Sequence, residues 1–169
     1  VLDTETSGLD IKKDTILSIA AVKIIDAEIC IGDRLECFIL DDGYLPDKSI
    51  EIHGITRSQI NEGQSLDSVI RKFIEYLGDA VIVGHHIAFD FKMLDKYVYR
   101  QFGCHLRNKT LDTSGLYHRL EHGVNDRAKP ISLDQLAEKY AVPLGERHTA
   151  AADTFITAII FLKMLNGLR

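Results

Sequence analysis

The spacing of apolar positions changes along this chain, and the change marks out its elements. The runs TILSIAAVKIID at 15–26 and CIGDRLECFIL at 30–40 are rich in β-branched residues and are parted only by a short polar break. Together with residues 1–6, which read as the end of a strand, they predict a three-stranded antiparallel meander. Past Pro46, Thr56 and Gln59 stand in capping-box register. In SLDSVIRKFIEYLG, 65–78, residues 66, 69, 70, 73, 74 and 77 are apolar, which is helical spacing closed by Gly78. AVIVG at 80–84 is short and wholly apolar, as suits a buried parallel strand. A helix over 87–103, a short strand at 110–113 and helices over 114–121 and 132–141 follow, the last with Ser132 and Gln135 as a second capping box. Residues 122–130 are polar and read as a loop, and TAAADTFITAIIFLKMLNG at 149–167 is a strongly apolar helix. Antiparallel strands followed by strands alternating with helices predict a mixed α/β sheet with helices on its faces.

With 169 residues and 46% hydrophobic content the chain suits one domain, 1–169, with a substantial core. It begins without Met, and its first strand is short, so we expect a truncated start and a possible place within a longer chain. The net charge of −5, with no basic block, argues against gripping long nucleic acid by charge alone, but not against holding a strand end through a metal. Cys30, Cys37 and Cys104 form no CxxC pair and read as buried free thiols of a reducing compartment. No run reaches transmembrane length and no signal peptide is visible, so the expectation is a cytoplasmic protein without a membrane partner.

Four acids are placed awkwardly for ordinary structure. Asp3 and Glu5 share one face of a strand, where a solvent-facing pair would account for them as well as a site would. Asp90, in GHHIAFDFKML, shares a helix face with Leu94 and Tyr97, so its carboxylate needs a partner. Asp153 begins a helix that is apolar almost all round, with Ile156 and Ile160 below it. It either complements the helix dipole or meets a cation. Brought to one point, the four would repel one another unless divalent ions neutralised them, and hard oxygen ligands suit Mg²⁺ or Mn²⁺. Two ions about 3.5–4 Å apart stabilise both the attacking and the leaving oxygen of a phosphoryl displacement. His148, five residues before Asp153, is a surface histidine or, together with the acids, a candidate general base.

DTETSGLD, GHHIAFDFKML and HTAAADT resemble the three motifs of the DEDDh 3′–5′ exonucleases, a family that includes the epsilon proofreading subunit of bacterial DNA polymerase III. IHGIT and SLDQLAEKYAVP resemble further stretches of the family, so the likeness covers essentially the whole chain. It implies a ribonuclease H-like fold, two divalent metal ions held by Asp3, Glu5, Asp90 and Asp153, and His148 as general base. It also implies a terminal nucleotide held by Thr6, with Leu9, Ile52, His53 and Phe89 lining its pocket. Such contacts suit an unpaired end, because they do not read sequence. Asp112 is given a helix-capping role. His86 stands where many relatives have Asn. The expected activity is release of nucleoside 5′-monophosphates from single-stranded or frayed 3′ ends, DNA favoured, with a polymerase as possible partner. The alternatives are a ribonuclease T or oligoribonuclease type of exoribonuclease, since the same five residues serve both, and a non-catalytic binding or docking domain.

Overall fold

The computed structural model describes residues 1–40, 54–123, 129–145 and 148–167. Ile52 and His53 lie outside them. Strands β1 (Leu2–Thr6), β2 (Ile16–Ile25) and β3 (Glu28–Phe38) form the antiparallel meander that the pattern predicts, in the order β1-β2-β3. The turn between β2 and β3 places Asp26 and Ala27 at φ 52° and 63°, both in the left-handed region. That geometry matches the twist of a hairpin, although neither residue is the glycine or asparagine that usually announces it.

Helices α1 (Arg57–Asn61) and α2 (Leu66–Leu77) come next. The capping box of α1 is formed by Thr56 and Gln59. Then come β4 (Ile82–Gly84), α3 (Ala88–Phe102), β5 (Thr110–Asp112), α4 (Thr113–His122), α5 (Leu133–Lys139) and α6 (Ala150–Asn166). Strand β5 pairs in parallel with β4. Asp112 caps α4, its carboxylate accepting from the Ser114 and Gly115 amides.

The hydrogen-bonded ladders divide into three strands and two, rather than closing into one sheet. Strand β4 runs close beside β1, for a Cβ on Gly84 would stand 3.0 Å from the Leu2 carbonyl oxygen. The Thr4 amide, which a neighbouring strand would otherwise use, donates instead to Asp90.

The main core joins Leu2, Ile19 and Ile82 of the strands to Phe73 of α2 and Met93 and Leu94 of α3. A second core gathers Leu133 and Leu136 of α5 with Ile156, Ile160 and Met164 of α6. Among the cysteines only Cys37 is buried, and Cys104 is exposed. The expectation of buried thiols therefore holds at one position, because Cys104 falls just past the end of α3, where the chain returns to the surface. Among the described residues no helix is long and apolar enough to cross a membrane.

Candidate active site

Asp3, Glu5 and Asp153 are brought together by β1 and α6. Each offers a carboxylate oxygen within 4.8 Å of the others, in half-buried surroundings. The convergence follows from the local structure. Asp3 pairs with Ala20 and Glu5 with Ser18 on β2. The buried Thr154 hydroxyl donates to the Ala20 carbonyl at 3.1 Å, which docks the first turn of α6 on the strand next to Asp3. Thr149 caps that turn by accepting from the Ala152 amide, and Ala150–Ala152 are small enough for the helix start to come close. The β1–β2 register slips between Glu5 and Thr6. Such an irregularity turns the chain away just after the second acid.

The donor set is three carboxylates from two elements, with no nitrogen or sulfur among them. That is an oxygen site suited to a hard divalent cation.

Asp90 stands apart from this trio. It is buried on the face of α3 shared with Leu94 and Tyr97, as the helical spacing predicts. Its Oδ1 accepts from the Thr4 amide at 3.0 Å and from the Thr4 hydroxyl at 2.6 Å. Strand alternation sends the Thr4 side chain to the opposite face of β1 from Asp3 and Glu5. Burial pushes the Asp90 carboxyl up to about 6; the Thr4 bonds offset part of this, and the charge of Asp112 adds to the rise.

His148 is exposed, one residue before the cap of α6, and its φ of 65° is in the left-handed region. His86 is also exposed and left-handed, at φ 54°, with its ring 4.2 Å from that of His85. Asparagine and histidine are both enriched in that conformation among residues other than glycine. A histidine therefore fits this backbone.

Of the residues expected to line a nucleotide pocket, Thr6, Leu9 and Phe89 are described. The Thr6 hydroxyl donates to the Gly8 carbonyl, Leu9 is 85% exposed, and Phe89 is half-buried against the main core. The loop that carries Leu9 is tightly organised. Asp14 accepts from the Ser7 hydroxyl and the Asp10 amide. Lys96 of α3 donates to the carbonyls of both Ile11 and Asp14 at 2.8 Å. A Cβ on Gly8 would stand 2.5 Å from the Asp14 carboxylate, so a larger residue here would push that carboxylate away from its partners Ser7 and Asp10. Sequence reasoning passed over Thr4, Asp14 and Lys96. Their partners lie across the fold or around a loop, and no spacing announces them.

A family model, RNase_T, described as Exonuclease, matches residues 1–161. The chain belongs to this exonuclease family. The exonuclease is similar to the DNA polymerase III subunit epsilon of Aquifex aeolicus (strain VF5), at 29% identity over 168 residues, 99% of this chain and 80% of that protein. It is 33% identical over 169 residues to the PolC-type DNA polymerase III of Staphylococcus haemolyticus (strain JCSC1435), which covers 100% of this chain and only 11% of that polymerase. The solved structure of exonuclease X in complex with 5′ overhanging duplex DNA matches with a TM-score of 0.71 at 24% identity, covering 98% of this chain and 90% of that one. That likeness shows the fold, and the expected ribonuclease H-like mixed α/β architecture is met.

Proposed function

We propose that this exonuclease removes nucleotides one at a time from DNA 3′ ends, as a cytoplasmic enzyme working beside a replicative polymerase. The observation that carries the reading is the trio Asp3, Glu5 and Asp153, whose carboxylate oxygens are drawn within 4.8 Å of one another from two separate elements. The family match and the DNA polymerase III relatives support it.

In this reading Asp3, Glu5 and Asp153 hold one divalent ion, Mg²⁺ or Mn²⁺, and Asp90 contributes to a second. When bound, such ions supply Lewis acidity at the scissile phosphate and offset charge on the attacking and leaving oxygens. His148 takes the proton from the attacking water, a role that its exposed position suits and that imidazole most often fills. The last phosphodiester is cut in line, the 3′ oxygen leaves with the shortened strand, and a nucleoside 5′-monophosphate departs. Leu9, Phe89, Thr6, Ile52 and His53 hold the terminal nucleotide by apolar and polar contact without reading its sequence.

The test is digestion of 5′-labelled oligonucleotides, run in parallel on 3′-mismatched duplex DNA, single-stranded DNA and RNA of matched sequence. Stepwise shortening from the 3′ end, dependent on Mg²⁺ or Mn²⁺ and fastest on DNA, is expected. Faster loss of RNA would replace the DNA reading with the exoribonuclease one. Absence of turnover with either ion would leave a binding domain.

A further inference from the structure

We infer that Thr4, the residue between the two acids of β1, is a positioning residue that fixes the Asp90 carboxylate for cation binding. The inference rests on the proposed two-cation reading and goes beyond it, since Thr4 itself touches neither cation nor substrate in that scheme.

The geometry is specific. Thr4 is 9% exposed and Asp90 6%, and they are joined across 86 positions of sequence. Both Thr4 donors, amide and hydroxyl, reach the same oxygen, Oδ1, at 3.0 and 2.6 Å. Two donors on one oxygen hold the carboxylate against rotation. An oxygen fixed in advance loses less freedom when it binds, and groups that orient a metal ligand in this way commonly contribute tenfold or more to affinity. The same residue couples the two halves of the site. Its neighbours Asp3 and Glu5 belong to the trio on one face of β1, while its own side chain reaches Asp90 on the other. One strand thus sets the placement of all the acids except Asp153.

A purely structural role for Thr4, as a tie between β1 and α3, predicts something else. Removing the hydroxyl would then lower the melting temperature and leave the metal requirement of the folded enzyme alone. Thr4→Val separates the two, because it keeps the backbone amide and the strand-favouring shape and loses only the hydroxyl. Thr4→Ser keeps the hydroxyl.

The measurement is calorimetric titration of the protein with Mn²⁺, accompanied by the Mn²⁺ concentration for half-maximal cleavage, for wild type, Thr4→Val, Thr4→Ser and Asp90→Asn. Thr4→Val is expected to weaken one class of Mn²⁺ site by about tenfold, to raise the half-maximal concentration in step, and to recover near-wild-type cleavage at saturating metal. Thr4→Ser should behave like wild type. Thr4→Val titrating as wild type while Asp90→Asn loses a site would overturn the role of Thr4 and leave the two-cation reading standing. If Asp90→Asn also titrates as wild type, Asp90 holds no cation and both ideas fall together.

Discussion

The trio of acids and the histidine stand on different kinds of support. Asp3 and Glu5 lie in the middle of a paired strand, and Asp153 lies in a capped helix pinned to that strand by Thr154. His148 stands on exposed backbone, in a left-handed conformation that costs a residue other than glycine something to hold. In the proposed mechanism, the groups that would meet a cation at fixed distances are set in regular structure, and the group that would take a proton from water is set at the edge. If this contrast is functional, substitutions on the two supports will differ in kind as well as in size.

The largest effect should follow Asp153→Asn. It removes a third of the charge of the trio, and several kcal/mol of transition-state stabilisation with it, so cleavage should fall by about a thousandfold or more. The upward shift in melting temperature on adding Mn²⁺ should shrink as well, since stabilisation by a ligand follows its affinity for the folded state. A variant that kept the full Mn²⁺ shift would show that the trio is not the metal site.

His148→Ala should slow cleavage by about 10²–10⁴-fold, within the usual range for loss of a general base, and leave the Mn²⁺ shift in place. Glycine at the same position sharpens the comparison. His148→Gly should be equally inactive, yet its folded state should be no less stable than that of the alanine variant, because glycine takes the left-handed backbone at φ 65° without strain. If His148→Ala keeps wild-type turnover on a labelled oligonucleotide, the base lies elsewhere.

Asp90 tests the buried side of the contrast without any metal. Its carboxyl is raised from 3.8 to about 6, mainly by burial. The folded protein therefore holds the Asp90 proton more tightly than the unfolded chain does. Asp90 contributes its full stability below about pH 4, and that contribution is lost as pH rises through about 6. In EDTA at pH 7.5, Asp90→Asn should then raise stability to chemical denaturation, by on the order of 2 kcal/mol. The amide oxygen can still accept from Thr4, and the buried charge is gone. A destabilised variant would mean that the charge is better compensated than burial implies.

Legibility in the sequence followed the range of the interactions. The helix over Leu66–Leu77 and the caps at Thr56, Ser132 and Asp112 were readable, because their partners are two to four residues away. The burial of Asp90 beside Leu94 and Tyr97 was readable from helical spacing alone. The acid trio needed the three motifs taken together, since nothing local says that α6 docks beside β1. Thr4 was invisible for a further reason. On a strand a threonine is unremarkable, and only the fold shows that both of its donors are spent on a carboxylate from α3. The two left-handed residues of the β2–β3 turn were hidden because aspartate and alanine stand where glycine would have signalled it.

The smallest predicted effect concerns the loop after β1, which lies outside regular structure and yet is braced like the acids. Lys96 holds it through two carbonyls and rests 4.4 Å from the centre of the Tyr97 ring, while the Tyr97 hydroxyl bonds Thr15 at the end of the loop. Lys96→Met keeps the stem of the side chain and removes both bonds. The acids, His148 and the Thr4–Asp90 pair are untouched by the change. The loop would then be ordered less often, and part of the binding energy at Leu9 would be spent on ordering it. The Michaelis constant for an oligonucleotide should rise by about three- to tenfold, with kcat and the half-maximal Mn²⁺ concentration close to wild type. Lys96→Arg, which can still donate to both carbonyls, should lie nearer to wild type. A fall in kcat without a rise in the Michaelis constant would place Lys96 on the side of the acids, and the loop would then serve the chemistry rather than hold the strand end.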